Sequence, residues 1–279
     1  MMIDQVETFV VGNPPPRHGG RYFIFVTLTT DSGVKGVGEA YVATVGPHLV
    51  AQMIEDVADR WLVGQSPFDV EAFWRRAYGS GYSSRPDPTL CGVISALEIA
   101  CWDIIGKSLD KPIYELMGGQ VRDRVRAYAN GWYRGPRTPE SFHERAKEVV
   151  KRGYTALKFD PFGKAYQITD LDDEALAIDI IAAVRDAVGP SVDVLVEGHC
   201  RFSTSTALKF ARKMESSNPT WFEEPTPHHK IDALIQVAKE SPVPIATGES
   251  LHTKYEFAEL LKHDVVHILQ PEPLACGGL

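Results

Sequence analysis

The chain has 279 residues, 44% of them hydrophobic and 24% charged, with a formal net charge of −8. That is an ordinary globular composition, large enough for one big domain or two modest ones. An acidic chain with no Lys/Arg run lacks the concentrated basic face that nucleic-acid binding needs, so no nucleic-acid partner is expected. The four cysteines, Cys91, Cys101, Cys200 and Cys276, form no C-x-x-C pair. They read as reduced thiols of a cytoplasmic protein, not as a disulfide framework or a zinc site. The first residues, MMIDQVETFVVG, lack the basic-then-apolar order of an export signal, and no unbroken run of 18 apolar residues occurs. No membrane association is expected.

Residues 1–120 open with two or three β segments. Residues 21–30 (RYFIFVTLTT) are β-branched and aromatic, Asp31-Ser32-Gly33 is turn chemistry, and 34–41 (VKGVGEAY) make a return strand. An amphipathic helix over 49–61 follows. A helix over 95–109 (SALEIACWDIIGKSL) is apolar on most sides, which implies burial. Strands followed by helices make this region an α+β domain ending at Leu116-Met117-Gly118-Gly119.

Residues 121–279 alternate. Short apolar strands begin at Val125, Thr155, Val192, Thr220, Pro244 and Val266, separated by 30, 37, 28, 24 and 22 residues. Helical stretches over 139–152, 173–188, 203–215, 231–241 and 254–263 lie between them. Thr138-Pro139 is a good helix start, and Gly153 and Gly189 are good stops. This is the cadence of βα units building a parallel sheet. No G-x-G-x-x-G opens a helix after any strand, so a Rossmann-type nucleotide site is unsupported.

A closed β/α barrel is favoured because polar residues gather at the same end of successive strands. The second strand ends Lys158-Phe159-Asp160 and the third Glu197-Gly198-His199. The next three end Glu223-Glu224-Pro225, Thr247-Gly248-Glu249 and Gln270-Pro271-Glu272. In a barrel these ends form the catalytic mouth. One Glu after a strand is most often a helix cap or a solvated charge, but five strands in succession ending in ionisable groups point to a shared site. Converging carboxylates repel one another, and a hard cation relieves this. Oxygen ligands without Cys point to Mg²⁺, whose charge would also suit an anionic substrate in an acidic protein.

The equal 26-residue spacings Glu197–Glu223 and Glu223–Glu249, the FEEP and TGE motifs, SALEIACWDIIGK, LMGG and VKGVGEA together resemble the mandelate racemase subgroup of the enolase superfamily. The resemblance covers essentially the whole chain. It implies an α+β capping domain over 1–120 and a modified TIM-type β/α barrel over 121–279. It implies Mg²⁺ on Glu197, Glu223 and Glu249, and a small carboxylate substrate that loses its α-proton. Glu224 points to the other side of its strand and is expected to be structural. Where the superfamily generally shows K-x-K, this chain has Lys158-Phe159-Asp160. Lys158 would stabilise the substrate carboxylate or enediolate, and Asp160 would orient Lys158, bind a substrate hydroxyl or cap the loop. Glu197-x-His199 resembles family members that dehydrate aldonic acids, with His199 as the acid for the departing hydroxyl. Glu272 would pair with a histidine of a later strand as the base.

His18, Arg21, Tyr82, Arg85 and His252 are weaker candidates for substrate contacts, each more readily explained as a surface residue. The function implied is a sugar-acid (aldonate or aldarate) dehydratase. Racemisation, epimerisation or cycloisomerisation on the same fold is the nearest alternative, and a non-catalytic metal- or sugar-acid-binding barrel a further one. Six strands fall short of the eight of a closed barrel, so the chain is expected to be C-terminally incomplete. A homo-oligomer is the expected state of the complete protein.

Overall fold

A computed structural model describes residues 1–17 and 19–279. The chain divides into two compact units. Unit 1 contains Met1–Arg124, Leu251–Glu256 and Pro271–Leu279, and unit 2 contains Val125–Ser250 and Phe257–Gln270.

Unit 1 is built on an antiparallel sheet of β1 (Ile3–Gly12), β2 (Tyr22–Thr30) and β3 (Lys35–Ala40) in the order β1-β2-β3. Alternation along β2 buries Ile24, Val26, Leu28 and Thr30 on one face, as period-2 patterning requires. The helices are α1 (Pro47–Trp61), α2 (Val70–Gly79), α3 (Pro88–Leu109) and the short α4 (Ile113–Leu116). The α3 start is fixed by Asp87, whose carboxylate accepts from Leu90 N at 3.0 Å, with Pro88 in the first turn. Helix α3 lies so close to β3 that a Cβ on Gly38 would fall 1.9 Å from Ala96 O. Only glycine permits that approach. Helix α3 is by length and composition long and apolar enough to cross a membrane. Burial within unit 1 accounts for its apolarity, since 72% of its most apolar 18-residue window is covered. Helix α2 went unrecognised in the sequence because its buried stripe is only Phe73 and Ala77.

Residues 271–279 belong to unit 1 through specific bonds. Gly277 N donates to Ser95 Oγ at 2.9 Å, Trp74 Nε1 to Gly277 O at 3.1 Å, and Tyr41 N to Leu274 O at 3.1 Å. The contacts therefore cut the chain differently from a single division after residue 120.

Unit 2 is α/β. Its helices are α5 (Pro139–Lys151), α6 (Leu171–Val188), α7 (Thr204–Met214) and α8 (Ile231–Glu240), each packed on the next. Helix α9 (Thr253–Leu261) precedes the last strand. The parallel sheet runs β4 (Ala156–Phe159), β5 (Asp193–Glu197), β6 (Trp221–Glu223), β7 (Ile245–Thr247) and β8 (Ile268–Leu269), in that order. Sequential parallel neighbours with covering helices are the arrangement of part of a β/α barrel. One expected strand is corrected. Residues 125–130 form no strand but a single bridge, Ala129 to Leu157, with Val125 90% exposed. The link is made by Ala129 N to Ala156 O and Lys158 N to Ala129 O, too few bonds to define a ladder.

The loops leaving β4 and β5 are tied together under the mouth by buried aromatic rings. Phe162 packs on Phe202 and Phe210 with centroids 4.8 and 4.6 Å apart. This packing fixes the loops that carry Asp160, His199 and Arg201.

Candidate active site

The β4, β5, β6 and β7 ends bring together Lys158, Glu197, Glu223 and Glu249. One carboxylate oxygen from each glutamate lies within 4.8 Å of the others. Glu197 and Glu223 are buried, while Glu249 is exposed at the rim. The buried Lys158 ammonium donates to Glu197 Oε2 at 2.8 Å and to Glu223 Oε1. Fixed donors take the other oxygens: His199 N meets Glu197 Oε1 at 2.9 Å, and Trp221 Nε1 meets Glu223 Oε2 at 2.8 Å.

Burial pushes the Glu223 carboxyl up, and the adjacent Glu197 pushes it further against the pull of Lys158. Glu249 is also raised, first by desolvation and then by Glu223 and Glu224, with Lys158 opposing. Desolvation would lower Lys158, but Glu197 and Glu223 outweigh it and the ammonium is held above its ordinary value. One ammonium against three carboxylates leaves an excess of negative charge. All-oxygen donors converging this closely suit a hard divalent cation.

Asp160 does not orient Lys158. Its Oδ2 accepts from His199 Nδ1 at 2.8 Å and Arg201 Nη2 at 2.6 Å, and its Oδ1 caps the loop by accepting from Phe162 N at 2.9 Å. Desolvation would raise the Asp160 carboxyl, but these donors hold it below the ordinary range. The bond to Asp160 is the main cause of a raised His199 imidazole, with burial opposing it. His199 and Cys200 both have left-handed backbone, φ +48° and +57°. That turn lets Cys200 N reach Glu224 O at 2.7 Å while the imidazole meets Asp160. Non-glycine residues in this conformation persist only where their surroundings hold them.

Glu224 is buried and faces away from the cluster, accepting from Thr247 Oγ1 at 3.0 Å and Gly248 N at 2.8 Å. It ties β6 to β7 by hydrogen bonds. Gly248 itself has φ +138°, and a Cβ there would sit 2.8 Å from Gln270 N.

The other candidates belong to unit 1. Glu272 Oε1 accepts from Leu274 N at 3.1 Å, and Glu272 O accepts from Ala275 N and Cys276 N, closing a turn. Arg85 donates to Tyr78 O at 2.6 Å and stacks 4.5 Å from that ring. His252 N donates to Glu256 Oε2 at 2.6 Å, and its Nδ1 lies 3.2 Å from Ala275 O. Tyr82 is 85% exposed. Arg21 is exposed, with its carbonyl bonded to Asn13 N. His18 lies outside the described residues. All four cysteines are free.

Three participants escaped the sequence reading. Arg201 also donates to Gly198 O and Gly163 O, bracing the β4 and β5 loops. Tyr128 lies 5.7 Å from Lys158 Nζ and edge-on to Trp221. Trp221 was findable, because it precedes Glu223 by two residues and so shares its strand face.

Comparison with known proteins extends this picture. Residues 16–118 match the mandelate racemase/muconate lactonizing enzyme N-terminal domain, and residues 141–279 match the enolase C-terminal domain-like family. D-gluconate dehydratase of Thermoproteus tenax is 38% identical over 258 residues, covering 92% of this chain and 52% of that protein. D-gluconate/D-galactonate dehydratase of Picrophilus torridus is 35% identical over 279 residues, covering 99% of this chain and 71% of that protein. The chain thus spans about half the length of the first of these relatives. The solved mandelate racemase/muconate lactonizing enzyme-like protein of Roseovarius sp. TM1035 is 40% identical. It superposes with a TM-score of 0.93 over 100% of this chain and 73% of its own. Two family domains in the same order, and relatives similar along nearly all of the chain, establish the relationship. The chain belongs to the mandelate racemase/muconate lactonizing enzyme family of the enolase superfamily.

Proposed function

We propose that the protein is a Mg²⁺-dependent hydro-lyase that dehydrates a sugar acid, an aldonate such as gluconate or galactonate, to its 2-keto-3-deoxy acid. The observation that carries this reading is the pairing of a three-carboxylate cluster with His199, an imidazole held by Asp160 two residues beyond one of the glutamates. The relatives named as gluconate and galactonate dehydratases support the substrate class.

Glu197, Glu223 and Glu249 would hold the cation, which when bound offsets their repulsion and stabilises negative charge developing on the substrate carboxylate. Lys158 adds a fixed positive charge beside that carboxylate. A base takes the proton from the carbon next to the carboxylate. His199 then gives a proton to the hydroxyl on the following carbon, which leaves as water, and the resulting enol becomes the 2-keto acid. Asp160 keeps the proton on His199 Nδ1 and turns Nε2 outward, and Arg201 fixes Asp160.

A panel of aldonic and aldaric acids, screened for 2-keto acid formation with Mg²⁺ and with excess chelator, tests the proposal. One or more aldonates should turn over with Mg²⁺, and chelation should abolish it. Full turnover under chelation, or α-proton exchange in every acid without loss of water, would contradict it. The second outcome would favour a racemase or epimerase.

A further inference from the structure

We propose that Trp221 is a positioning residue for the metal site. Its indole N–H holds the Glu223 carboxylate in the orientation that meets a divalent cation shared with Glu197 and Glu249. This inference rests on the metal-dependent reading above.

Trp221 and Glu223 stand two apart on β6, on the same strand face. Nε1 of the indole donates to Glu223 Oε2 at 2.8 Å, while the opposite oxygen accepts from Lys158. A carboxylate has about four lone-pair sites, so one donor on each oxygen leaves acceptor capacity for a cation. A glutamate has three side-chain torsions, and turning it away from the cluster would lose the ligand. The indole has two torsions and is further restrained by Tyr128, which packs edge-on against it with centroids 6.0 Å apart and planes at 83°. Glu197 has a comparable anchor in the backbone N–H of His199. For Glu223 the corresponding anchor is a side chain, so substitution can remove it.

The chemistry of the donor also matters. A second ammonium at this position would cancel negative charge that the cation needs. An indole N–H is neutral, and it orients the carboxylate while leaving its charge intact. Such outer partners of metal ligands commonly govern affinity without touching the metal.

The test is Mg²⁺ binding by calorimetry and Mn²⁺ binding by electron paramagnetic resonance. It compares the wild-type protein, Trp221→Phe, and a variant carrying 3-benzothienylalanine at position 221, which keeps the ring shape and replaces only N–H with sulfur. Both variants should bind the metals roughly 10- to 100-fold more weakly, and the isosteric one should keep the wild-type melting temperature without metal. If wild type binds the metals and the isosteric variant matches it within about twofold, the Trp221 assignment is overturned while the metal reading stands. If wild type binds neither metal, the metal reading fails and this inference fails with it.

Discussion

His199 combines exposure with constraint. Its ring reaches the surface, yet its backbone is left-handed and its Nδ1 is fixed on Asp160. An imidazole held this way presents Nε2 in one direction, as proton transfer to a leaving hydroxyl requires. His199→Asn should therefore lower dehydration at least about 100-fold while α-proton exchange falls much less. Comparing product formation with deuterium uptake at the α-carbon checks this, and equal loss of both would make His199 the base or a binding residue. A second residue-scale prediction concerns Glu98, which is buried on α3 and accepts from Trp102 Nε1 at 2.6 Å and Leu279 N at 3.0 Å. Burial pushes its carboxyl up to about 7, against those two bonds. Its folded value lies above its unfolded one. Its contribution is therefore fully present below pH 4.5 and is lost as pH rises through about 7. The loss is on the order of 3 kcal/mol. Wild type should melt at a lower temperature at pH 8 than at pH 5.5, and Glu98→Gln should shrink that difference. An unchanged difference would show that Glu98 does not titrate as described.

At the scale of elements, single side chains hold segments that regular hydrogen bonding leaves open. Arg185, near the end of α6, donates to Gly189 O and Val192 O at 2.7 Å, to Ser217 O at 2.8 Å and to Asn218 O at 3.0 Å. Those carbonyls belong to the turns before β5 and β6, so Arg185 sets where both strands begin. Arg185→Ala should cost about 2 kcal/mol, read as a lower urea midpoint of unit 2. A midpoint unchanged from wild type would mean that water replaces the guanidinium. Gly38→Ala should cost about 3 kcal/mol, because its methyl would meet the α3 backbone. The main elements were legible because their patterns were strong, as in the alternation of β2 and the Thr138-Pro139 start of α5, whereas α3 begins at Pro88, ahead of the expected Ser95. The segment from Val125 was misread as a strand. Its apolar residues satisfy the strand pattern, but pairing across a sheet is a long-range property that pattern does not encode. Arg201 was invisible for a similar reason, since its value lies in carbonyls and a carboxylate presented by two different loops.

For the whole molecule, the carboxylate cluster was the most legible feature, because parallel strands align their ends whatever the sequence between them. Sequence spacing brought Lys158, Asp160, Glu197, His199, Glu223 and Glu249 to neighbouring strand ends. It did not reveal that Asp160 serves His199 while Lys158 sits between two glutamates. That division depends on which side chains can reach one another across the mouth. The most direct test of the account is deuterium incorporation from D₂O during turnover of D-gluconate or D-galactonate. With Mg²⁺ present, the account predicts a 2-keto-3-deoxy product with one deuterium at C3. Chelation, or Glu197→Gln, Glu223→Gln or Glu249→Gln, should abolish both product and α-exchange. Product formation that persists at the wild-type rate in excess chelator or in any of these variants would contradict it.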